Sequence, residues 1–187
     1  MAYIHESPKW PQFDWDRNTL STQLADVRHR QGRLLGRMEA LGFALRTEAS
    51  LLTLTEDVVK SSEIERDVEG VVEMMLDATQ RYVEPLTAER LFGWHAALFP
   101  TGRSGMHRII VGAWRDDRTG SMQVVSGPVG RERVHYEAPS ADRLAREMGT
   151  FVDWFNHEVS LDPVLKAGVA HLWFVTLHPF DDGNGRI

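Results

Sequence analysis

The 187-residue chain contains no cysteine. That excludes disulfides, thiolate zinc sites and a cysteine nucleophile. A reducing cytoplasm suits such a chain, and the cytoplasm is the expected compartment. Excess positive charge is also missing: 21 Lys and Arg stand against 27 Asp and Glu, a formal net charge of −6. Duplex nucleic acid is therefore excluded as a partner, because its phosphates need neutralising. A single small phosphate ligand is not excluded, since it needs only a local nest of donors. Long apolar runs are absent too. The N-terminal stretch MAYIHESPKW lacks the apolar centre of a secretory leader. The most apolar window, Val164 to Leu177, carries Lys166 and His171 and is too short to span a bilayer, so no membrane partner is expected. No Gly-Lys-Ser/Thr closes a Walker loop, and the alternating ligand positions of an EF-hand fail around Asp181.

What is present is mostly helical patterning. Residues 1–15 hold Pro8 and Pro11 with Trp10, Phe13 and Trp15. Prolines prevent a helix there and aromatics dominate packing, so an extended arm pinned to its own domain is expected over a partner-binding peptide. Residues 18–46 repeat Leu20, Leu24, Val27, Leu34, Met38 and Leu41 at helical steps, with Arg28, Arg30, Arg33 and Arg37 opposite as a solvated face. Further helices are predicted over about 47–65, 68–82 and, capped by Thr87 and stopped by Pro100, 87–99. Between Thr101 and Pro139 the period shortens. RIIVGAW, MQVVSG and RVHYEAP read as short strands. Residues 141–155 are helical again.

Asp162-Pro163 is an N-cap followed by proline at the first helical position. The helix it opens, VLKAGVAHLWFVTL, is apolar on nearly every side and is predicted to be the buried centre of a bundle. Pro179 removes an amide donor and pushes His178 out of helical geometry, so the helix must end near Leu177. His178 then projects from a rigid terminus, either as a proton-transfer group or as a packed, capping histidine. The next residues, DDGNGR, supply two carboxylates, two glycines and an arginine. Such a turn can form an anion-binding concavity, Arg186 can pair with phosphate, and Asp182 can hold Mg²⁺. A helix starting near Gly185 would add free amide donors. Asn-Gly alone is equally a hairpin signal. A zinc site on His171 and His178 has no third ligand in view, and His171 is expected to sit in the core.

HPFDDGNGR, residues 178–186, resembles the signature of the Fic family, H-x-F-x-[D/E]-G-N-G-R-x-x-R, at every defined position the chain contains. GAWR, MQVVSGPVGRERVHYEAP and AHLWFVTLHPF resemble one bacterial branch of it with an N-terminal helical extension. The resemblance implies a mostly α fold, a helical bundle around a central buried helix with a small β-hairpin flap. It implies an N-terminal arm and helices over 1–65 and a Fic domain over 66–187.

The implied activity is protein adenylyl transfer, AMP passing from ATP to a Ser, Thr or Tyr hydroxyl of a target protein, which could be the chain itself. By this likeness His178 is the general base and Asp182 holds Mg²⁺. Gly183, Asn184 and Gly185 form an anion hole, Arg186 contacts the phosphate chain, and Phe180 is grouped with the nucleotide-binding residues while packing inward to set the loop. Met122, Gln123, Val124, Val125 and Ser126 correspond to a flap that holds the target segment, although a hairpin that merely closes the fold reads the same. Ser61 and Glu65 match an inhibitory helix, [S/T]-x-x-x-E-[G/N], but Arg66 departs from its last position. The motif's second arginine would fall after Ile187, so either the chain is defective or residues are omitted. Omission is the expectation, with the Fic domain cut short there, and whether residues are also omitted between Glu65 and Arg66 is left open. A homodimer is an open expectation. Use of another nucleotide, removal of AMP, or a silent binding module are the competing functions.

Overall fold

The structure is a computed structural model that describes residues 3–40, 65–128 and 130–187, with only the backbone of 65–69. A 3₁₀ turn at Ile4–Glu6 starts an arm that runs to Asp16. Helices follow at Arg17–Ala40 (α1), Glu65–Gln80 (α2) and Ala88–Leu98 (α3). Two antiparallel hairpins come next, Arg103–Ser104 (β1) with His107–Arg108 (β2), and Gln123–Ser126 (β3) with Arg133–Glu137 (β4). Ala141–His157 (α4) and Pro163–Leu177 (α5) complete the regular structure among the described residues.

Local chemistry accounts for most boundaries. Thr87 caps α3 by accepting from Arg90 N at 3.1 Å. Asp162 caps α5 by accepting from Val164 N at 2.8 Å, with Pro163 in the first turn. Asp117, from a loop, accepts from Ala141 N at 2.6 Å and so serves the start of α4. Each bond satisfies a helix-terminal N–H that the helix itself cannot.

The core joins α5 to α3 and α4. Trp173, Phe174 and Leu177 of α5 meet Leu91, Met148 and Phe151, and Phe180 joins them from beyond the helix. The arm packs as expected: Trp10 meets Trp173 edge-on at 5.8 Å between ring centroids and donates to Glu147 at 3.0 Å. Helices α2 and α3 lie so close that a Cβ on Gly70 would meet Ala97 O at 1.7 Å. Asp77 ties the same pair by accepting from Arg90 and Trp94.

Several expectations are corrected. RIIVGAW contributes only Arg108 to a strand, and 109–114 runs irregularly. It is anchored by side chains instead of a ladder: Asp181 accepts from Ile110 N at 2.8 Å. No break falls between Glu65 and Val68, since the helical backbone is continuous over Glu65–Gln80. The stripe of α1 is only half covered, and Val27 and Leu34 are 43% and 58% exposed. Its firm attachment is polar, through both Nε and Nη2 of Arg28 on Asp162. His171 is exposed rather than in the core, and Leu172 beside it is 44% exposed, so α5 keeps one open face among the described residues. The helix predicted over 47–65, apart from Glu65, lies outside the described residues, as does Ser61. No helix among the described residues is long and apolar enough to cross a membrane.

Candidate active site

The site is built where α5 ends. His178 is in the left-handed region, φ 49° and ψ 58°, the one non-glycine with positive φ among the described residues. Pro179 cannot donate to Val175 O, and the His178 ring takes that acceptor, with Nδ1 3.2 Å away. A carbonyl only accepts, so Nδ1 carries the proton and Nε2 keeps its lone pair. Burial holds this imidazole below its ordinary value of 6.5, and the nearby Arg115 charge adds to the effect, so it is neutral near pH 7.

Arg115, buried, is the hub beneath it. Its Nε donates to His178 O at 2.8 Å, Nη1 to Asp117 at 2.7 Å, and Nη2 to Pro139 O just past β4. Its own N–H donates to Pro179 O at 2.9 Å. One guanidinium thus ties the histidine, the flap's exit and the start of α4.

Asp182 is half-buried. Its Oδ2 accepts from Ser104 Oγ of β1 and its Oδ1 from Gly183 N at 2.6 Å. Burial alone would raise its pKa, but these donors outweigh it and hold the carboxyl below its usual value. His95 of α3 is fully buried and stacks on Phe180 at 4.1 Å between centroids. Gly112 N donates to its Nδ1 at 3.4 Å, which leaves Nε2–H to donate to Asp182 O at 3.2 Å.

Gly183 has φ +80°, and a Cβ there would lie 2.7 Å from Phe99 Cε2. The turn closes by Arg186 N donating to Gly183 O at 2.8 Å. The N–H groups of Asn184 and Gly185 have no hydrogen-bond partner among the described residues. The Arg186 guanidinium sits 4.8 Å above the Phe99 ring and is exposed. Donors, a carboxylate, an arginine and a neutral imidazole therefore share one nine-residue segment.

Two roles change. Phe180 has no exposed surface and packs among His95, Phe92 and Trp114, so it cannot touch a bound nucleotide. The Asn184 side chain is spent internally: Oδ1 accepts from Phe180 N at 2.9 Å and Nδ2 donates to Phe180 O at 2.8 Å. Only its backbone N–H can serve an anion. Gly185 lies in a turn in which Arg186 N and Ile187 N both donate to Gly183 O. Met122 is half-buried beside β3, while Gln123, Val124, Val125 and Ser126 are exposed, and β3 pairs only with β4 among the described residues. Glu65 opens α2. Arg115, His95, Ser104 and Tyr136 are not marked as functional by the sequence, because each acts on the site from a distant part of the chain; GAWR and RVHYEAP, which contain Arg115 and Tyr136, are the signal that points to two of them.

Among the described residues no group of three His, Asp or Glu could hold a metal by itself. Asp182 nonetheless fits Mg²⁺, which uses one or two carboxylates and takes its other ligands from phosphates and water.

Fold and site together define a mostly helical protein with a glycine turn after its central helix that presents unpartnered N–H groups among the described residues. The chain belongs to the Fic/DOC family, whose model matches residues 85–187. Residues 3–71 match a model described as a domain of unknown function, DUF4172. Among curated proteins the chain is similar to "Protein adenylyltransferase fic-1" of Caenorhabditis elegans, 34% identical over 83 residues that cover 43% of this chain and 16% of that protein. It is also similar to "Protein adenylyltransferase Fic" of Drosophila willistoni, 50% identical over 68 residues, 34% of this chain and 14% of that protein. The matched stretches are thus a small part of these relatives' lengths. Among solved structures, a Fic family protein from Desulfovibrio desulfuricans G20 superposes with a TM-score of 0.58 at 21% identity, over 94% of this chain and 56% of that one. Fic-1 residues 134–508 from C. elegans superposes with a TM-score of 0.54 at 17% identity, over 91% and 57%.

Proposed function

We propose that the protein transfers AMP from ATP to a hydroxyl of a target protein, with His178 as general base. The observation that carries this reading is the tautomer of His178: its Nδ1–H is spent on Val175 O, and its neutral Nε2 is left to take a proton. The names of the curated relatives, protein adenylyltransferases, agree with it.

In the step, the target Ser, Thr or Tyr hydroxyl gives its proton to His178 Nε2 as its oxygen bonds to the α-phosphorus. The bond from that phosphorus to the bridging oxygen breaks and pyrophosphate leaves. The N–H groups of Asn184 and Gly185 and the Arg186 guanidinium stabilise charge on the phosphate oxygens. Asp182 would hold Mg²⁺, which when bound neutralises charge on the α- and β-phosphates. The exposed edge of β3, Gln123, Val124, Val125 and Ser126, with Met122 half-buried beside it, would receive the target as an added strand. Ser61 and Glu65 would restrain the site in the resting protein, with Glu65 pairing to an arginine of the completed motif.

The test is transfer of labelled AMP by the full-length protein with Mg²⁺, onto itself or onto proteins of a lysate. His178→Ala is expected to reduce labelling by about 10²–10⁴-fold, and Glu65→Gly to increase it. Label that survives His178→Ala would remove the base assignment. Preference for UTP or CTP over ATP would redirect the reading to another nucleotide. No transfer by wild type or by Glu65→Gly would favour a silent module.

A further inference from the structure

A helix leaves its last carbonyls without donors of its own, and past Leu177 the chain cannot serve them in the usual way. Phe180 N, which would reach Thr176 O in a continuing helix, is spent on Asn184 Oδ1. The donor that reaches Thr176 O comes instead from β4: Tyr136 Oη, at 2.6 Å. A phenol has one proton, and it goes to Thr176. The second contact of that hydroxyl, His5 Nδ1 at 2.9 Å, must therefore donate to it. Tyr3 stacks on His5 at 5.8 Å and meets the Tyr136 ring edge-on at 5.1 Å. His5 is only 7% exposed, so this is an interior contact. Burial pushes the Tyr136 phenol above its usual value, so it remains a donor throughout the working pH range.

Tyr136 also pairs with Val124 on β3. The chain of contacts thus runs from the arm, through the flap, to a carbonyl two residues before His178. Arg115 makes the second tie on the same assembly, from Pro139 O after β4 to His178 O. The flap and the base are held by common partners.

We propose that the N-terminal arm is a positioning device of the active site: His5, acting through Tyr136, locks the flap's second strand to the last turn of the helix that presents His178. This gives Tyr3 and His5, at the start of the segment matched by the model of unknown function, a definite task. Tyr136 and His5 are positioning residues, since neither touches reacting atoms. The kinetic side of the proposal rests on the adenylyl-transfer reading; the structural side does not.

The test uses full-length Tyr136→Phe, His5→Ala and His5→Asn. Hydrogen exchange without nucleotide should rise in residues 122–137 and 176–186 of Tyr136→Phe, by about 2- to 10-fold for one lost hydrogen bond, while α2 and α3 stay unchanged. His5→Ala should move the same segments and covers the case in which Tyr136→Phe fails to fold. His5→Asn, whose carboxamide can donate in the same direction, should restore protection. In transfer assays kcat should fall by about 10- to 100-fold with KM for ATP unchanged. Unchanged exchange in 176–186, or an equal rise everywhere, overturns the proposal. So does wild-type transfer kinetics in Tyr136→Phe. If wild type transfers no AMP yet the exchange pattern holds, the positioning device stands and the transfer reading falls.

Discussion

Gly183 and Gly185 share one turn but are glycine for different reasons. Gly183 has φ +80° and its Cβ would strike Phe99, so Gly183→Ala should lower stability by roughly 1–3 kcal/mol, read in thermal melts. Gly185 has open space around the same position and no positive φ. Gly185→Ala should leave stability within about 0.5 kcal/mol yet weaken ATP binding in calorimetric titration, because a phosphate approaching its N–H would meet the methyl. Equal ATP affinity would remove the cradle role. Asn184→Asp keeps the acceptor for Phe180 N but loses the donor to Phe180 O; a buried unpaired carbonyl costs about 1–3 kcal/mol. His178 sets the pH profile. Burial lowers its pKa, so the neutral base persists below pH 6.5. Transfer should hold level near neutrality and fall only as pH drops through that lowered value. The folded state also loses stability in that window, because the unfolded imidazole binds its proton more readily.

Between elements, the close approach of α2 and α3 turns on one residue. Glycine in a helix costs about 1 kcal/mol against alanine, so Gly70→Ala would stabilise α2 in isolation. Against Ala97 O at 1.7 Å the added methyl must force the helices apart. Overpacking costs about 1–3 kcal/mol and the obstacle is backbone, so the net sign should be destabilising, with an earlier denaturation midpoint. The helix caps Thr87 and Asp162-Pro163 were legible because cap and capped N–H lie within three residues. The course of 109–114 was not. Its β-branched run reads as a strand, but its N–H groups go to distant partners, Ile110 N to Asp181 and Gly112 N to His95, and it stays irregular.

At the scale of the molecule, the arm reaches α4, α5 and the flap together. Trp10 meets Trp173 edge-on and hydrogen-bonds Glu147, which is buried and also held by Arg143. Trp10→Ala should cost about 3 kcal/mol or more and lower the melting temperature of the whole unit, whereas Trp10→Phe keeps most of the ring contact and loses only the indole bond. If Trp10→Ala melts like wild type, the arm is not part of the core. Among the described residues Arg186 makes no salt bridge, and its exposed guanidinium lies beside the glycine turn, where an anion would meet it.

What the sequence determined by itself is the order of chemistry from His178 to Arg186, the helix that carries it and the caps that start its helices. These are local relations, within a few residues, so they leave a readable spacing. Tertiary structure alone decided how that segment is held. His95 reaches Asp182 across 87 residues, Ser104 across 78, and Arg115 reaches His178 across 63. Tyr136 reaches Thr176 across 40, with His5 another 131 residues from Tyr136. Contacts at such separations have no period to read. They arise because the helix is followed by a proline and by a buried asparagine that takes up Phe180 N, so that a carbonyl such as Thr176 O is met by a donor from elsewhere in the fold.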